Sequence, residues 1–81
     1  MTAHPVTVIA QVLGLSAQQL QLDDGPETIP QWDSLAHVNL MLALESEYDV
    51  MFSPQEMASM SSVRSIQDAL MQKGVPVALA D

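Results

Sequence analysis

The sequence predicts an all-α fold: a four-helix bundle with a long first loop and a short third helix. Apolar residues recur at helical spacing in several segments, helix start signals precede the later segments, and no segment alternates apolar and polar residues like a strand. The chain has 81 residues, of which 48 % are hydrophobic, so it can form one small core. We therefore predict a single domain over residues 1–81.

The first helix is predicted over residues 6–13, after a loose start at residues 1–5. Its apolar stripe consists of Val6, Ile9, Val12 and Leu13. Gly14 is typical of the position that ends a helix. Ser16 can cap one further short turn over residues 17–20, although the same segment is compatible with a loop.

A long connection is predicted over residues 21–33. Pro26 and Pro30 together with Gly25 argue against regular structure there. Such a loop must still be held against the domain, because exposing all its apolar side chains would leave a large apolar patch. The expected anchors are Leu20, Leu22, Ile29 and Trp32.

The strongest helical pattern covers residues 34–48, with Asp33 or Ser34 as the N-cap. Two lines of side chains run along this helix. The line expected to face the core consists of His37, Leu40, Met41, Leu44 and Tyr48. The line expected to face outward consists of Leu35, Val38, Leu42 and Glu45.

Two further helices are predicted. Ser53, Pro54 and Glu56 supply a cap, a proline at the first helical position and a capping box, which predicts a short helix over residues 54–60. Ser61 or Ser62 starts a last helix over residues 62–73, and residues 75–81 are predicted to be a flexible tail. The apolar face of the last helix is Val63, Ile66, Ala69 and Leu70. The methionines expected to fill the core are Met41, Met57, Met60 and Met71.

Composition narrows the classes of function. The chain has no cysteine, so it cannot form disulfides or thiolate metal sites. Its net charge of −8 argues against nucleic acid as a partner and favours basic protein surfaces, although acidic surfaces also keep small proteins soluble. No apolar run reaches the length of a membrane span, so we expect a cytoplasmic protein without membrane insertion. His4 and His37 lack metal-ligand spacing, so no metal site is predicted.

Ser34 is the residue with the clearest potential for chemistry. At the start of a helix, backbone N–H groups and the helix dipole favour a phosphate attached to its hydroxyl. The simpler interpretation is that Ser34 only caps the helix. A hydrolase built from Asp33, Ser34 and His37 is a further alternative, but nothing in the sequence marks an oxyanion hole or a deep pocket.

The segment from Asp33 to Tyr48, DSLAHVNLMLALESEY, resembles the recognition helix of acyl carrier proteins, and the similarity of layout extends from Val6 to Leu70. That helix starts with Asp-Ser-Leu and closes with acidic residues and an aromatic. The matching positions after the tripeptide are Val38, Leu40, Leu44, Glu45, Glu47 and Tyr48. The resemblance implies an acyl-carrier-like bundle without a catalytic centre, which holds an acyl group as a thioester for other enzymes.

The family's functional residues can be carried over to this sequence. Ser34 would receive a 4′-phosphopantetheine arm from coenzyme A through a phosphopantetheinyl transferase, and Asp33 would help that enzyme to hold the serine. The implied partners are this transferase, an acyl-loading enzyme, and enzymes of the ketosynthase or acyltransferase type. The carrier itself is expected to be a monomer. The implied partner-binding residues are Leu35, Asn39, Leu42, Glu45, Glu47 and Glu56. The core residues Leu40, Met41, Leu44 and Tyr48 would bound the space for an acyl chain.

Several positions depart from the carriers of fatty acid synthesis. Ala36, Asn39 and Ser46 stand where those carriers usually have acids, and Pro30-Gln31-Trp32 replaces their usual Leu-Gly pair. The resemblance therefore favours a specialised pathway, such as polyketide-type biosynthesis. An aminoacyl or peptidyl carrier, and an unmodified helical adaptor that binds partners through residues 35–46, remain the alternatives.

Overall fold

Four α-helices form the framework of the structure, a computed structural model that describes residues 4–75. Helix α1 spans Pro5–Leu13, α2 Ser34–Tyr48, α3 Pro54–Ser59 and α4 Val63–Gln72, and a single turn of 3₁₀ helix spans Ala17–Gln19. The described residues contain no strand. The predicted all-α fold with a short third helix is therefore confirmed.

Helix α1 begins one residue earlier than predicted, so Pro5 is helical rather than part of a loose start. The ring nitrogen Nδ1 of His4 accepts a hydrogen bond of 3.2 Å from the Val6 amide, and Pro5 occupies the first helical position. Gly14 ends the helix in the left-handed conformation at φ 74°. The rest of the predicted loose start, residues 1–3, lies outside the described residues.

The core lies where α1 packs against α2 and α4. Helix α2 buries Leu40, Met41 and Leu44 completely, whereas His37 and Tyr48 at the ends of the predicted core line are only partly buried. The prediction missed Val8 and Ala10 of α1 and Gln67 of α4, which are also buried. The other large side chains in the core are Ile9, Leu13, Leu20, Trp32, Phe52, Met60, Val63, Ile66 and Leu70.

The methionines divide into two groups. Met41 and Met60 are each 1 % exposed and fill the core as predicted. Met57 is only partly buried. Met71 is 37 % exposed, so the prediction that it fills the core is wrong.

The start of each later helix is fixed by side-chain caps. Ser53 and Glu56 form the predicted capping box of α3, since each side chain accepts a hydrogen bond from the other residue's amide. Ser62, rather than Ser61, caps α4 by accepting a 3.1 Å hydrogen bond from the Ser65 amide. These caps satisfy amides that have no partner inside the helix.

Two helices end slightly earlier than predicted. Helix α3 ends at Ser59, with Met60 as its C-cap, and α4 ends at Gln72. Of the predicted tail, the structure describes only Val75, whose amide bonds to the Leu70 carbonyl at 3.0 Å. Residues 76–81 lie outside the described residues.

The long loop of residues 21–33 docks through its backbone onto the start of α4. The Val63 amide donates to the Asp24 carbonyl and the Arg64 amide donates to the Leu22 carbonyl, each at 2.9 Å. The loop therefore supplies acceptors for the first turn of α4.

The side chains of this loop behave less uniformly than predicted. Leu20 and Trp32 are buried and Ile29 is half-buried, as expected of anchors. The Leu22 side chain is 39 % exposed, so its prediction as an anchor is wrong. The backbone of Leu22, and not its side chain, holds this part of the loop to α4.

No helix between residues 4 and 75 combines the length and the apolar character that a bilayer crossing requires.

Gly25 is expected to be essential for the docking of the loop. A Cβ atom at this buried position would overlap the Ser61 carbonyl oxygen. We predict that Gly25→Ala lowers the free energy of unfolding by about 3 kcal/mol, because the clash is with backbone and cannot be relieved by a side-chain rotation. Glu27→Ala, an exposed neighbour in the same loop, should change it by less than about 0.5 kcal/mol. Urea unfolding of both variants tests this, and equal small losses would contradict the docking geometry.

Candidate functional site

Asp33, and not Ser34, caps α2. The Asp33 backbone is extended, with φ −90° and ψ −174°, and its Oδ1 accepts a 2.8 Å hydrogen bond from the Ala36 amide. Ser34 is the first residue of the helix itself and is exposed. Within residues 4–75 its hydroxyl has no hydrogen-bond partner. Capping is therefore done by the neighbouring carboxylate, and the Ser34 hydroxyl remains available to solvent.

A groove of about 550 Å³ lies beside Ser34. The loop contributes Pro26 and Trp32 to its walls, and α2 contributes His37 and Val38 in addition to Asp33 and Ser34. The opposite wall is formed by Ala58, Met60 and Ser61, at the end of α3 and in the turn after it. Its lining is mostly apolar. A group attached to the Ser34 hydroxyl would have a largely apolar surface next to it.

A chain of hydrogen bonds links one wall of this groove to α3. The indole N–H of Trp32 donates to Nδ1 of His37 at 2.9 Å, and Nε2 of His37 lies 2.8 Å from the Met57 carbonyl oxygen. The two rings are stacked, with centroids 6.2 Å apart. Because an indole N–H can only donate, Nδ1 must be the acceptor, and the proton must be on Nε2.

This arrangement leaves His37 neutral, with both ring nitrogens in use. A general base for Ser34 would need a ring nitrogen directed at the serine hydroxyl. The hydrogen bonds of His37 therefore argue against the hydrolase alternative. They agree with the half-buried position of His37 at the edge of the core.

The outer face of α2 is apolar. Leu35 is 71 % exposed, Val38 53 % and Leu42 56 %, and Asn39 is exposed on the same helix. Helix α2 thus carries large apolar residues on both its core side and its solvent side. Adjacent exposed apolar residues of this kind are typical of protein-binding surfaces.

The acidic residues predicted to meet partners differ in their surroundings. Glu47 is exposed, whereas Glu45 is half-buried and its Oε2 accepts a 2.8 Å hydrogen bond from the Phe52 amide. Glu56 accepts a hydrogen bond from the Ser53 amide and forms a 3.0 Å ion pair with Lys73. Glu45 and Glu56 therefore have structural roles within the domain.

Two side chains, Glu56 and Tyr48, have shifted pKa values. The Ser53 N–H, together with Lys73, lowers the pKa of Glu56 below its ordinary value. Burial, with a smaller contribution from the charge of Glu47, raises the pKa of Tyr48 to about 12. The phenol at the end of α2 is therefore protonated at neutral pH.

The sequence reasoning missed part of the groove. Pro26, Ala58 and Ser61 carried no pattern that assigned them to a site. The bond from Trp32 to His37 joins a loop to a helix, so it follows no helical periodicity, and its continuation to Met57 ends on a backbone carbonyl. Two signals were available: a buried tryptophan needs an acceptor, and histidine is a common one.

Among the described residues, no three side chains of His, Asp or Glu come together as a metal site would require. A scan against protein-family models gives no match, and a search of curated proteins gives no significant match.

Glu56→Gln tests the intramolecular role of this acid. The amide can still accept the bond from Ser53, so the variant mainly removes the charge that Lys73 faces. Because the pKa of Glu56 is lowered on folding, its charge stabilises the fold fully above the ordinary pKa of 4.5 and less as the pH falls through the lowered pKa. We predict that wild type is more stable than Glu56→Gln at pH 7 and that the difference vanishes in acid.

Urea unfolding between pH 7 and pH 3 measures that difference. The matched control is Asp68→Asn, which removes an exposed carboxylate on α4 that forms no ion pair within the described residues. The control should show a smaller effect at pH 7. A Glu56→Gln variant as stable as wild type at every pH would contradict the role assigned to the ion pair.

Proposed function

We propose that this chain is an acyl carrier protein, which holds an acyl group as a thioester on a 4′-phosphopantetheine arm attached to Ser34 and delivers it to other enzymes. The observation that carries the proposal is the state of the Ser34 hydroxyl. It is exposed at the first residue of a well-capped helix, has no structural task, and lies beside an apolar groove. The resemblance of residues 33–48 to the recognition helix of acyl carrier proteins supports phosphopantetheine as the group that is attached there.

The residues around Ser34 suit such an arm. A phosphodiester on this hydroxyl would lie at the positive end of the 15-residue helix α2, where negative charge is favoured. The arm, when bound, supplies the thiol that carries the acyl group, and the chain itself has no cysteine. Val38 and Ala58, two exposed residues in the groove walls, offer apolar surface close to the attachment point.

Asp33 would act as a positioning residue for the modification. Its side chain is held by the bond to the Ala36 amide, so the backbone that leads into Ser34 has a defined direction. A transferase would therefore meet the serine in one orientation. In this proposal the chain contributes no catalytic group, because the transferase and the later enzymes perform the chemistry.

Partner enzymes would meet the outer face of α2. Leu35, Val38 and Leu42 supply apolar contact area, Asn39 and Glu47 supply polar contacts, and the net charge of −8 favours basic partner surfaces. The partners proposed are a phosphopantetheinyl transferase, an acyl-loading enzyme, and enzymes of the ketosynthase or acyltransferase type. Contacts that are small and charge-steered form and separate quickly, as delivery between several enzymes requires.

The proposed setting is a specialised cytoplasmic pathway, such as polyketide-type biosynthesis. Support comes from Ala36 and Asn39, which make the start of α2 less acidic than in fatty acid carriers, and from Trp32 before the serine. The same exposed apolar face also supports a second candidate, an unmodified adaptor that binds a partner through α2. The two proposals differ in whether function requires the Ser34 hydroxyl.

Ser34→Ala separates the two candidates. The chain is incubated with coenzyme A, Mg²⁺ and a broad-specificity phosphopantetheinyl transferase, and its intact mass is measured. Wild type should gain one phosphopantetheine and Ser34→Ala none. Because Asp33 is the cap and Ser34 is exposed, the substitution should change the stability by no more than about 0.5 kcal/mol.

The matched control is Ser61→Ala, which removes another exposed serine hydroxyl from the lining of the same groove. This variant should be modified like wild type. Wild type that stays unmodified with several such transferases would contradict the carrier proposal and would leave the adaptor as the leading candidate.

A further inference from the structure

The hydrogen bonds that join Trp32, His37 and Met57 connect three separate parts of the fold. Trp32 is at the end of the long loop, His37 is in the first turns of α2, and the Met57 carbonyl is in α3. Trp32 is only 1 % exposed, and it also forms a wall of the groove beside Ser34. The position of this wall therefore depends on a histidine side chain.

The bond from Trp32 requires a neutral His37. Only the neutral imidazole has a nitrogen that accepts, since both nitrogens of the protonated ring carry a hydrogen. After protonation, the N–H at Nδ1 would face the N–H of the indole, and the indole would lose its acceptor. A buried N–H without an acceptor is unfavourable, so the two rings would have to separate.

We propose that Trp32, His37 and the Met57 carbonyl form a latch that opens when His37 is protonated, which releases Trp32 and widens the groove beside Ser34. Histidine is the side chain whose ordinary charge change falls between pH 5 and 8, which sets the pH range for the test. The latch itself does not depend on the proposed function. Its use, to control how firmly the groove holds a group on Ser34, rests on the carrier proposal.

The carboxylates near His37 are already bonded to other groups, so His37 is the side chain whose protonation would open the latch. On its own helix and in the loop before it, the carboxylate that lines the groove is Asp33, which is held in the cap of α2. On α3, the carboxylate of Glu56 is directed to Ser53 and Lys73. The remaining lining residues from the loop and from the end of α3 are Pro26, Ala58, Met60 and Ser61, none of which titrates.

The test uses the unmodified 81-residue chain, whose one tryptophan gives a single indole N–H signal in NMR spectra. The variant His37→Asn keeps an oxygen near the position of Nδ1 and cannot be protonated. The rate of exchange of the indole hydrogen with solvent is measured for wild type and variant at pH 8 and pH 5.5. The ratio of the two rates at each pH removes the intrinsic pH dependence of the exchange.

We expect similar exchange rates in wild type and His37→Asn at pH 8, and exchange about tenfold faster in wild type at pH 5.5, a factor that corresponds to about 1.4 kcal/mol of lost protection. His4→Asn is the matched control. It makes the same change at the chain's other histidine and keeps an acceptor for the Val6 amide. It should behave like wild type at both pH values.

The nitrogen resonances of the His37 ring complete the test. At pH 8 they should show a hydrogen on Nε2 and none on Nδ1, and at pH 5.5 a hydrogen on both. The proposal is wrong if the ring stays neutral at pH 5.5, or if it is protonated while the Trp32 N–H stays equally protected. If His37→Asn does not fold, the second criterion still applies in wild type, with the indole N–H of free tryptophan as the reference for intrinsic exchange at each pH.

Discussion

The burial of Trp32 is the constraint on which the candidate site depends. This side chain fixes the end of a long loop that has no regular structure, two residues before Ser34. Its indole N–H needs an acceptor inside the domain, and His37 provides it. With the loop end held in place, Asp33 can cap α2 and Ser34 becomes the exposed first residue of the helix. A loop that was free at this point would leave the serine without a defined direction.

The two ends of the loop are held by different interactions. Near its start, backbone carbonyls of the loop accept hydrogen bonds from the first turn of α4, and the lack of a side chain at Gly25 lets the two backbones approach. Near its end, a large aromatic side chain is buried in the core. Polar docking and apolar burial together give a rigid platform for Ser34, although more than half of the described residues before α2 lie outside any helix.

The helices could be predicted from the sequence because their signals are local. The capping box of Ser53 and Glu56 and the apolar pattern of α2 each lie within a few residues, so the bounds of α2 were predicted correctly. What depends on tertiary contacts could not be read in this way. The prediction of Leu22 as a side-chain anchor is wrong because its backbone, not its side chain, makes the contact. The groove forms only where the loop, α2 and α3 meet in the folded chain. The residues on either side of Ser34 in the sequence identify it as a candidate site residue. Only the structure shows that Asp33, and not Ser34, caps α2.

Isolation of the protein from the organism that makes it, followed by mass spectrometry of its peptides, tests the central claim most directly. The proposed function requires that the peptide containing Ser34 carry a phosphopantetheine, alone or with an acyl group in thioester linkage. Mild base should remove only the acyl group, and alkaline β-elimination of the phosphopantetheine should leave a peptide one water lighter than the unmodified one, with dehydroalanine in place of Ser34. A Ser34 peptide that is found only unmodified, in cells in which the proposed pathway is active, would contradict the carrier function.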